Sequence, residues 1–89
     1  MDKFFNTSDD NLRKAMVGFG KYFPKILADD AKGRADYDCV LRLMERAWLW
    51  HGAEGLTRLL RLAADKVKSR SIRNPFACWL SRAREIYPK

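Results

Sequence analysis

The residues with the clearest chemistry form a run of cations near the C-terminus. Six basic residues lie from Lys66 to Arg84, and no acidic residue occurs between Asp65 and Glu85. Lysine and arginine neutralise phosphate, and arginine adds a planar, two-pronged hydrogen-bond donor. Cations this close together repel one another unless an anion neutralises them. The run therefore predicts a surface that binds a polyanion.

Other residue types in this segment also suit a nucleic acid. Ser69 and Ser71 carry hydroxyl donors, and backbone amides that follow Asn74 at a helix start favour an anion. An exposed Trp79 would stack on an unpaired base, although Trp79 and Phe76 lie on the predicted apolar side of the helix, which favours core packing. The predicted nucleic-acid-binding residues are Lys66, Lys68, Ser69, Arg70, Ser71, Arg73, Asn74, Trp79, Arg82 and Arg84.

The positive charge of the chain is concentrated at one end of the sequence. The 89 residues carry a net charge of +7, from 18 basic and 11 acidic side chains. Residues 1–30 are neutral, residues 31–60 contribute +1 and residues 61–89 contribute +6. A one-ended surplus favours a polyanionic partner, whereas an even distribution would indicate only solubility. A solvated basic face remains the alternative interpretation.

Residues that could perform catalysis or hold a cofactor are sparse. His51 is the single histidine, Cys39 and Cys78 lack metal-ligand spacing, and no phosphate-loop, dinucleotide or zinc-protease motif occurs. His51 is predicted to lie at a helix end, where it suits the negative pole of the helix. The sequence predicts a protein that is not an enzyme and has no cofactor, metal or small-molecule substrate. Isolated cysteines and the lack of a signal or membrane segment predict a cytoplasmic protein with no membrane partner.

Helical periodicity predicts an all-α fold: one domain over residues 1–89, built as a compact bundle of four to five helices. Residues 1–7 are predicted to be a flexible arm. The first helix spans about 9–28 and splits or kinks near Pro24. A loop over 29–35 and a cap at Asp36 precede a second helix over 37–51, which Gly52 ends. A third helix spans 53–68, and Asn74 with Pro75 starts a fourth over 75–87.

The segment Ser71-Ile72-Arg73-Asn74-Pro75-Phe76-Ala77-Cys78-Trp79-Leu80 resembles part of a known group of helical replication proteins. In plasmid and mobile-element replication initiators, and in DnaD-like primosome domains, a basic or polar connector leads through a similar Asn/Ser-Pro start into the final helix. The resemblance covers residues 54–86. Cys78 stands where those families usually carry a tyrosine. The resemblance implies a helical domain associated with single-stranded DNA or with a replication protein.

Charge and resemblance together predict a nucleic-acid-binding module, with single-stranded DNA favoured, that is accessory to plasmid or mobile-element replication or maintenance. The alternative is a protein-interaction module, either an adaptor, an inhibitor or a self-dimer. Trp48, Leu49 and Trp50 are adjacent on a predicted helix, where neighbours point about 100° apart, so at least one must be exposed. Trp48 and Trp50 are therefore the predicted partner-binding residues. The amphipathic third helix would also suit a membrane surface, but its apolar stripe is needed to close so small a core.

Overall fold

The computed structural model describes residues 10–88. It is an all-α bundle of four helices and one short 3₁₀ helix, and the described residues contain no strand. We number the α-helices α1 (Asp10–Tyr22), α2 (Ala31–His51), α3 (Ala53–Lys68) and α4 (Pro75–Ile86), with the 3₁₀ helix Pro24–Leu27 between α1 and α2. None of these helices combines the length and the apolar character needed to cross a membrane. The arm predicted over residues 1–7 lies outside the described residues.

The first predicted helix is split at the proline that was expected to disturb it. α1 ends at Tyr22, and the chain resumes as a 3₁₀ helix with Pro24 in its first turn. Proline has no amide hydrogen and its ring clashes with the preceding helical turn, so α1 cannot continue through it. Phe23 and Ile26 are both buried, which anchors the two pieces to one core.

The predicted loop over residues 29–35 is wrong, because α2 begins at Ala31 and not after Asp36. Asp30 is extended (φ −138°, ψ 170°), and its carboxylate accepts a hydrogen bond from the Gly33 amide at 2.6 Å. Asp30 is therefore the cap, and Asp36 lies inside the helix. The sequence contains several candidate caps in succession, and tertiary contacts of Gly33 with the 3₁₀ helix select the earlier one: a Cβ on Gly33 would lie 2.8 Å from the Lys25 carbonyl oxygen.

The remaining helix ends confirm the sequence predictions closely. Gly52 ends α2 with φ 63°, a conformation that glycine adopts without strain, and its amide bonds to the Trp48 carbonyl at 2.8 Å. Asn74 caps α4 by accepting a hydrogen bond from the Ala77 amide at 3.1 Å. Pro75 occupies the first helical position, where its missing amide hydrogen costs nothing.

The core joins aromatic side chains from both ends of the chain. Phe19 is fully buried, with its ring centroid 4.5 Å from that of Trp79, and the centroids of Phe23 and Phe76 are 5.5 Å apart. Trp79 is also fully buried, and its indole N–H donates to the Leu59 carbonyl at 2.9 Å. A buried indole N–H needs such an acceptor, so this bond fixes the orientation of the ring.

Two side chains in the last turns of helices remain outside the core. Val67 near the end of α3 is 43% exposed, and His51 at the end of α2 is also exposed. The fully buried side chains of largest volume are Trp79, Tyr87, Phe19, Met16, Ile26, Met44, Leu59 and Val40.

The order of the aromatic contacts shows how the helices run. Phe19 lies opposite Trp79 while Phe23 lies opposite Phe76, so α1 is antiparallel to α4. α4 also returns along α3, since Trp79 bonds to Leu59. The last turns of α1 and α3 and the first turn of α4 therefore lie at one end of the bundle, which we call the connector end. The opposite end holds the end of α2 beside Tyr87.

Candidate nucleic-acid interface

Four predicted cations lie at the connector end. Lys66 and Lys68 are in the last turn of α3, and Arg70 and Arg73 are in the connector between α3 and α4. Lys66 is half-buried and the other three are exposed. Among residues 10–88, no carboxylate forms an ion pair with any of these four side chains. Their charges therefore remain available to an anion.

Lys25 adds a cation that sequence reasoning missed. Its Nζ lies 4.3 Å from the centroid of the Phe76 ring, in a cation–π contact. Phe76 is the second residue of α4, so the contact places Lys25 beside the exit of the connector. Nothing in the local sequence around Lys25 indicates this, because the two residues meet only through the packing of the 3₁₀ helix on α4. We call Lys25, Lys66, Lys68, Arg70 and Arg73 the connector surface.

An exposed aromatic residue at the same end was also missed. Tyr22 is the last residue of α1 and is 40% exposed. Lys21 precedes it and is exposed too. Because α1 ends at the connector end, both residues belong to that end of the bundle. In the sequence, Tyr22 lies at the edge of the apolar stripe of the first predicted helix. The prediction that this helix continues to residue 28 obscured the exposure of Tyr22.

Trp79 cannot stack on a base in this structure. Its side chain is fully buried between Phe19 and Phe76, and its indole N–H is already bonded to Leu59. The prediction that Trp79 presents a ring to nucleic acid is therefore wrong, and the alternative, core packing, is confirmed. The physical reason is that α4 needs one large apolar side chain to fill the space between α1 and α3.

The start of α4 offers fewer free amides than expected. Pro75 has no amide hydrogen, the Ala77 amide bonds to the Asn74 side chain, and the Cys78 amide bonds to the Asn74 carbonyl at 3.2 Å. The first turn can thus offer an anion at most the Phe76 amide. Asn74 caps the helix through its side-chain oxygen, and its contact with a nucleic acid stays a prediction.

The two predicted serines are bonded to each other. Ser69 Oγ and Ser71 Oγ lie 3.1 Å apart, and either hydroxyl can be the donor. A pair of hydroxyls shares one proton between the oxygens and leaves the second proton free to donate outward. Ser71 is exposed and Ser69 is half-buried. The pair therefore supplies one hydroxyl donor in the middle of the connector surface.

Arg82 and Arg84 do not belong to the connector surface. Arg82 donates to Glu85 Oε2 at 2.8 Å and faces the groove between α3 and α4. Arg84 faces a different groove, between α2 and α4, together with Arg42 and Arg46. Arg82 and Arg84 lie two residues apart on α4, and their side chains line separate grooves. The structure places the cations of residues 66–73 at one end of the bundle and separates Arg82 and Arg84 from them, and nucleic-acid binding by these residues stays a prediction.

The adjacent tryptophans separate into one inner and one outer residue. Trp48 is half-buried and packs against the core, so it presents less surface to a partner than Trp50 does. Trp50 is 52% exposed and Leu49 is 80% exposed. The expectation that at least one of the three neighbours would be exposed is confirmed. Trp50 and its neighbour Leu49 are thus accessible at the surface, and partner binding by Trp50 stays a prediction.

The single histidine has a structural partner. His51 Nδ1 lies 2.8 Å from the hydroxyl of Tyr87, whose side chain is fully buried. This bond ties the end of α2 to the end of α4. Within residues 10–88, no group of three histidine, cysteine or acidic side chains has a geometry that could hold a metal ion.

No protein-family model, curated protein or solved structure matches this chain. The resemblance of residues 54–86 to replication proteins therefore stays a prediction.

Proposed function

We propose that this protein binds single-stranded nucleic acid, with DNA favoured, through the connector surface. The observation that carries the proposal is a group of five cations gathered at one end of the bundle with no paired carboxylate among the described residues. Two helix ends and a connector contribute them, so the group is a product of the fold. Unpaired cations in this density attract phosphates over a distance of about 8 Å at physiological salt.

The side chains at this surface suit backbone contacts. Arg70 and Arg73 provide planar forks that bind phosphate oxygens in pairs, while Lys25, Lys66 and Lys68 act as point charges. The Phe76 ring orients the Lys25 ammonium and leaves its remaining face open to an anion. These contacts position a strand without reading its sequence. We therefore expect the protein to bind single strands with little preference for their base sequence.

Tyr22 supports a preference for unpaired strands. A base can stack on an exposed aromatic ring only when it is not already stacked inside a duplex, and each such contact contributes about 1–3 kcal/mol. Tyr22 is an exposed aromatic residue at the connector end, in the role that the sequence assigned to Trp79. An accessory role in the replication or maintenance of a mobile element is the biological part of the proposal, and the resemblance of residues 54–86 supports it.

The test is the affinity of the full chain for a fluorescein-labelled oligothymidine and for a duplex of equal length, measured by fluorescence anisotropy. The variant Arg70→Glu/Arg73→Glu should lose at least about tenfold in affinity for the single strand. The matched control Arg42→Glu/Arg84→Glu has the same net charge but changes the opposite groove, and it should bind nearly as the parent does. Equal losses in both variants would mean that net charge alone drives binding and would refute the proposed interface.

The exposure of Leu49 and Trp50 favours a second candidate function, protein interaction. Contiguous exposed apolar side chains on a small protein mark a contact with a partner or with a second copy. Sedimentation of the free protein distinguishes the two cases. If the patch forms a dimer, Leu49→Glu should convert it to a monomer; if it binds another protein, the parent already sediments as a monomer.

A further inference from the structure

A groove between α2 and α4 has a composition unlike that of the connector surface. It encloses a volume of about 410 Å³ and is lined by Cys39, Arg42, Leu43, Arg46, Arg84 and Pro88. Three arginines thus surround a lining of apolar and thiol groups, and no acidic residue lines the groove. A site that combines several cations with an apolar floor suits a ligand that is itself both acidic and apolar.

The arginines of this groove are available to a ligand. Arg42 and Arg84 are exposed, and over the described range 10–88 neither forms an ion pair with a carboxylate. Arg46 is half-buried and donates from one nitrogen to the Tyr87 carbonyl at 2.6 Å. That bond uses one of the five N–H groups of the Arg46 guanidinium, and no other partner for this side chain occurs among residues 10–88.

The exposed apolar patch continues the same face of α2. Leu49 and Trp50 follow Arg46 by three and four residues, which places them next to it on the helix surface. The Trp50 ring packs edge-on against the Tyr87 ring, with centroids 5.5 Å apart, and Tyr87 is the residue that binds Arg46 through its carbonyl. Groove and patch therefore form one continuous surface, cationic along its length and apolar at its end.

We infer that this surface binds an acidic, amphipathic segment of a partner protein, with carboxylates on Arg42 and Arg84 and an apolar side chain against Leu49 and Trp50. The arginine fork matches a carboxylate in a planar, bidentate geometry. A leucine that is 80% exposed contributes little to phosphate binding, so the patch favours a protein segment over a nucleic acid. The inference rests on the second candidate function above and is independent of nucleic-acid binding at the connector end.

The experiment uses the full chain and a fluorescein-labelled helical peptide of about 15 residues, made of glutamate with leucines along one face. Binding is followed by anisotropy. We expect Arg42→Glu/Arg84→Glu to weaken binding at least about tenfold and to bind the corresponding lysine–leucine peptide more tightly than the parent chain does. The matched variant Arg70→Glu/Arg73→Glu, which has the same net charge, should stay within about threefold of the parent.

Each other outcome overturns a defined part of the inference. Equal losses in the two double variants would show that the peptide senses net charge only, and the groove would not be a site. If Leu49→Ser weakens binding while Arg42→Glu/Arg84→Glu does not, the protein-interaction candidate stands but the groove is not part of it. If Arg42→Glu/Arg84→Glu instead weakens oligothymidine binding, the groove belongs to a nucleic-acid surface.

Discussion

The salt dependence of binding follows directly from the number of cations at the connector surface. Release of counterions makes log K fall with log salt by about 0.7 for each phosphate neutralised on a single strand. The five cations Lys25, Lys66, Lys68, Arg70 and Arg73 then give a slope of about −3.5. Affinity for oligothymidine should fall about 100-fold between about 50 mM and about 200 mM salt. Replacing Arg70 and Arg73 by alanine leaves three cations, which reduces the slope to about −2 and the fall to about 20-fold.

The assay is an anisotropy titration of labelled oligothymidine at four or more salt concentrations. Arg42→Ala is the control, because Arg42 lies in the α2–α4 groove and should leave the slope unchanged. A slope near zero for the parent chain would refute phosphate binding altogether. An unchanged slope for the double alanine variant would show that the strand contacts other cations, and would refute the assignment of the interface to the connector end.

Three further substitutions test how the fold divides core from interface. Trp79→Phe removes a buried hydrogen bond and core volume, so the free energy of unfolding in urea should fall by about 2 kcal/mol. Oligothymidine affinity should not change. A loss of affinity in a folded variant would contradict the conclusion that Trp79 acts only in the core. Tyr22→Leu should weaken oligothymidine binding about tenfold and leave duplex binding unchanged, whereas Tyr22→Phe should leave both affinities unchanged. An equal loss of duplex affinity in Tyr22→Leu would refute stacking. Gly55→Ala should lower the melting temperature by an amount equivalent to about 2 kcal/mol, because the added Cβ overlaps the Ala47 carbonyl oxygen. Gly18→Ala is its control, since that Cβ would meet only Leu60 side-chain carbons at 3.6 Å and should not destabilise.

The helix boundaries were predictable wherever a local signal stood alone. Gly52 and the Asn74-Pro75 pair each specify a helix end through their own backbone chemistry, and the structure confirms both. The start of α2 was mistaken because Asp29, Asp30 and Asp36 are all acceptable caps in isolation. The choice of Asp30 depends on the packing of Gly33 under the 3₁₀ helix, which no local pattern reveals.

The candidate site was predictable only in part, because residues that are distant in the sequence meet only through the packing of the helices. Charge density identified residues 66–73, because a run of nearby cations on a helix end and its connector must share one region of the surface. Arg82 and Arg84 looked equally suitable in sequence, yet helix geometry sends them to separate grooves. Helical spacing had already allowed for burial of Trp79, and the packing of α4 against α1 decided it.

Sequence alone determined the helical class, most helix ends and the excess of positive charge in the last third, since these depend on interactions between residues a few positions apart. Only the tertiary structure decided which side chains share a surface. It brought Lys25 to Phe76, placed Tyr22 at the connector end of the bundle, buried Trp79, and joined Arg46 to Trp50 through Tyr87. Such contacts depend on how whole helices pack against one another. Many residues of the core together stabilise this packing, so no short segment of the sequence determines it.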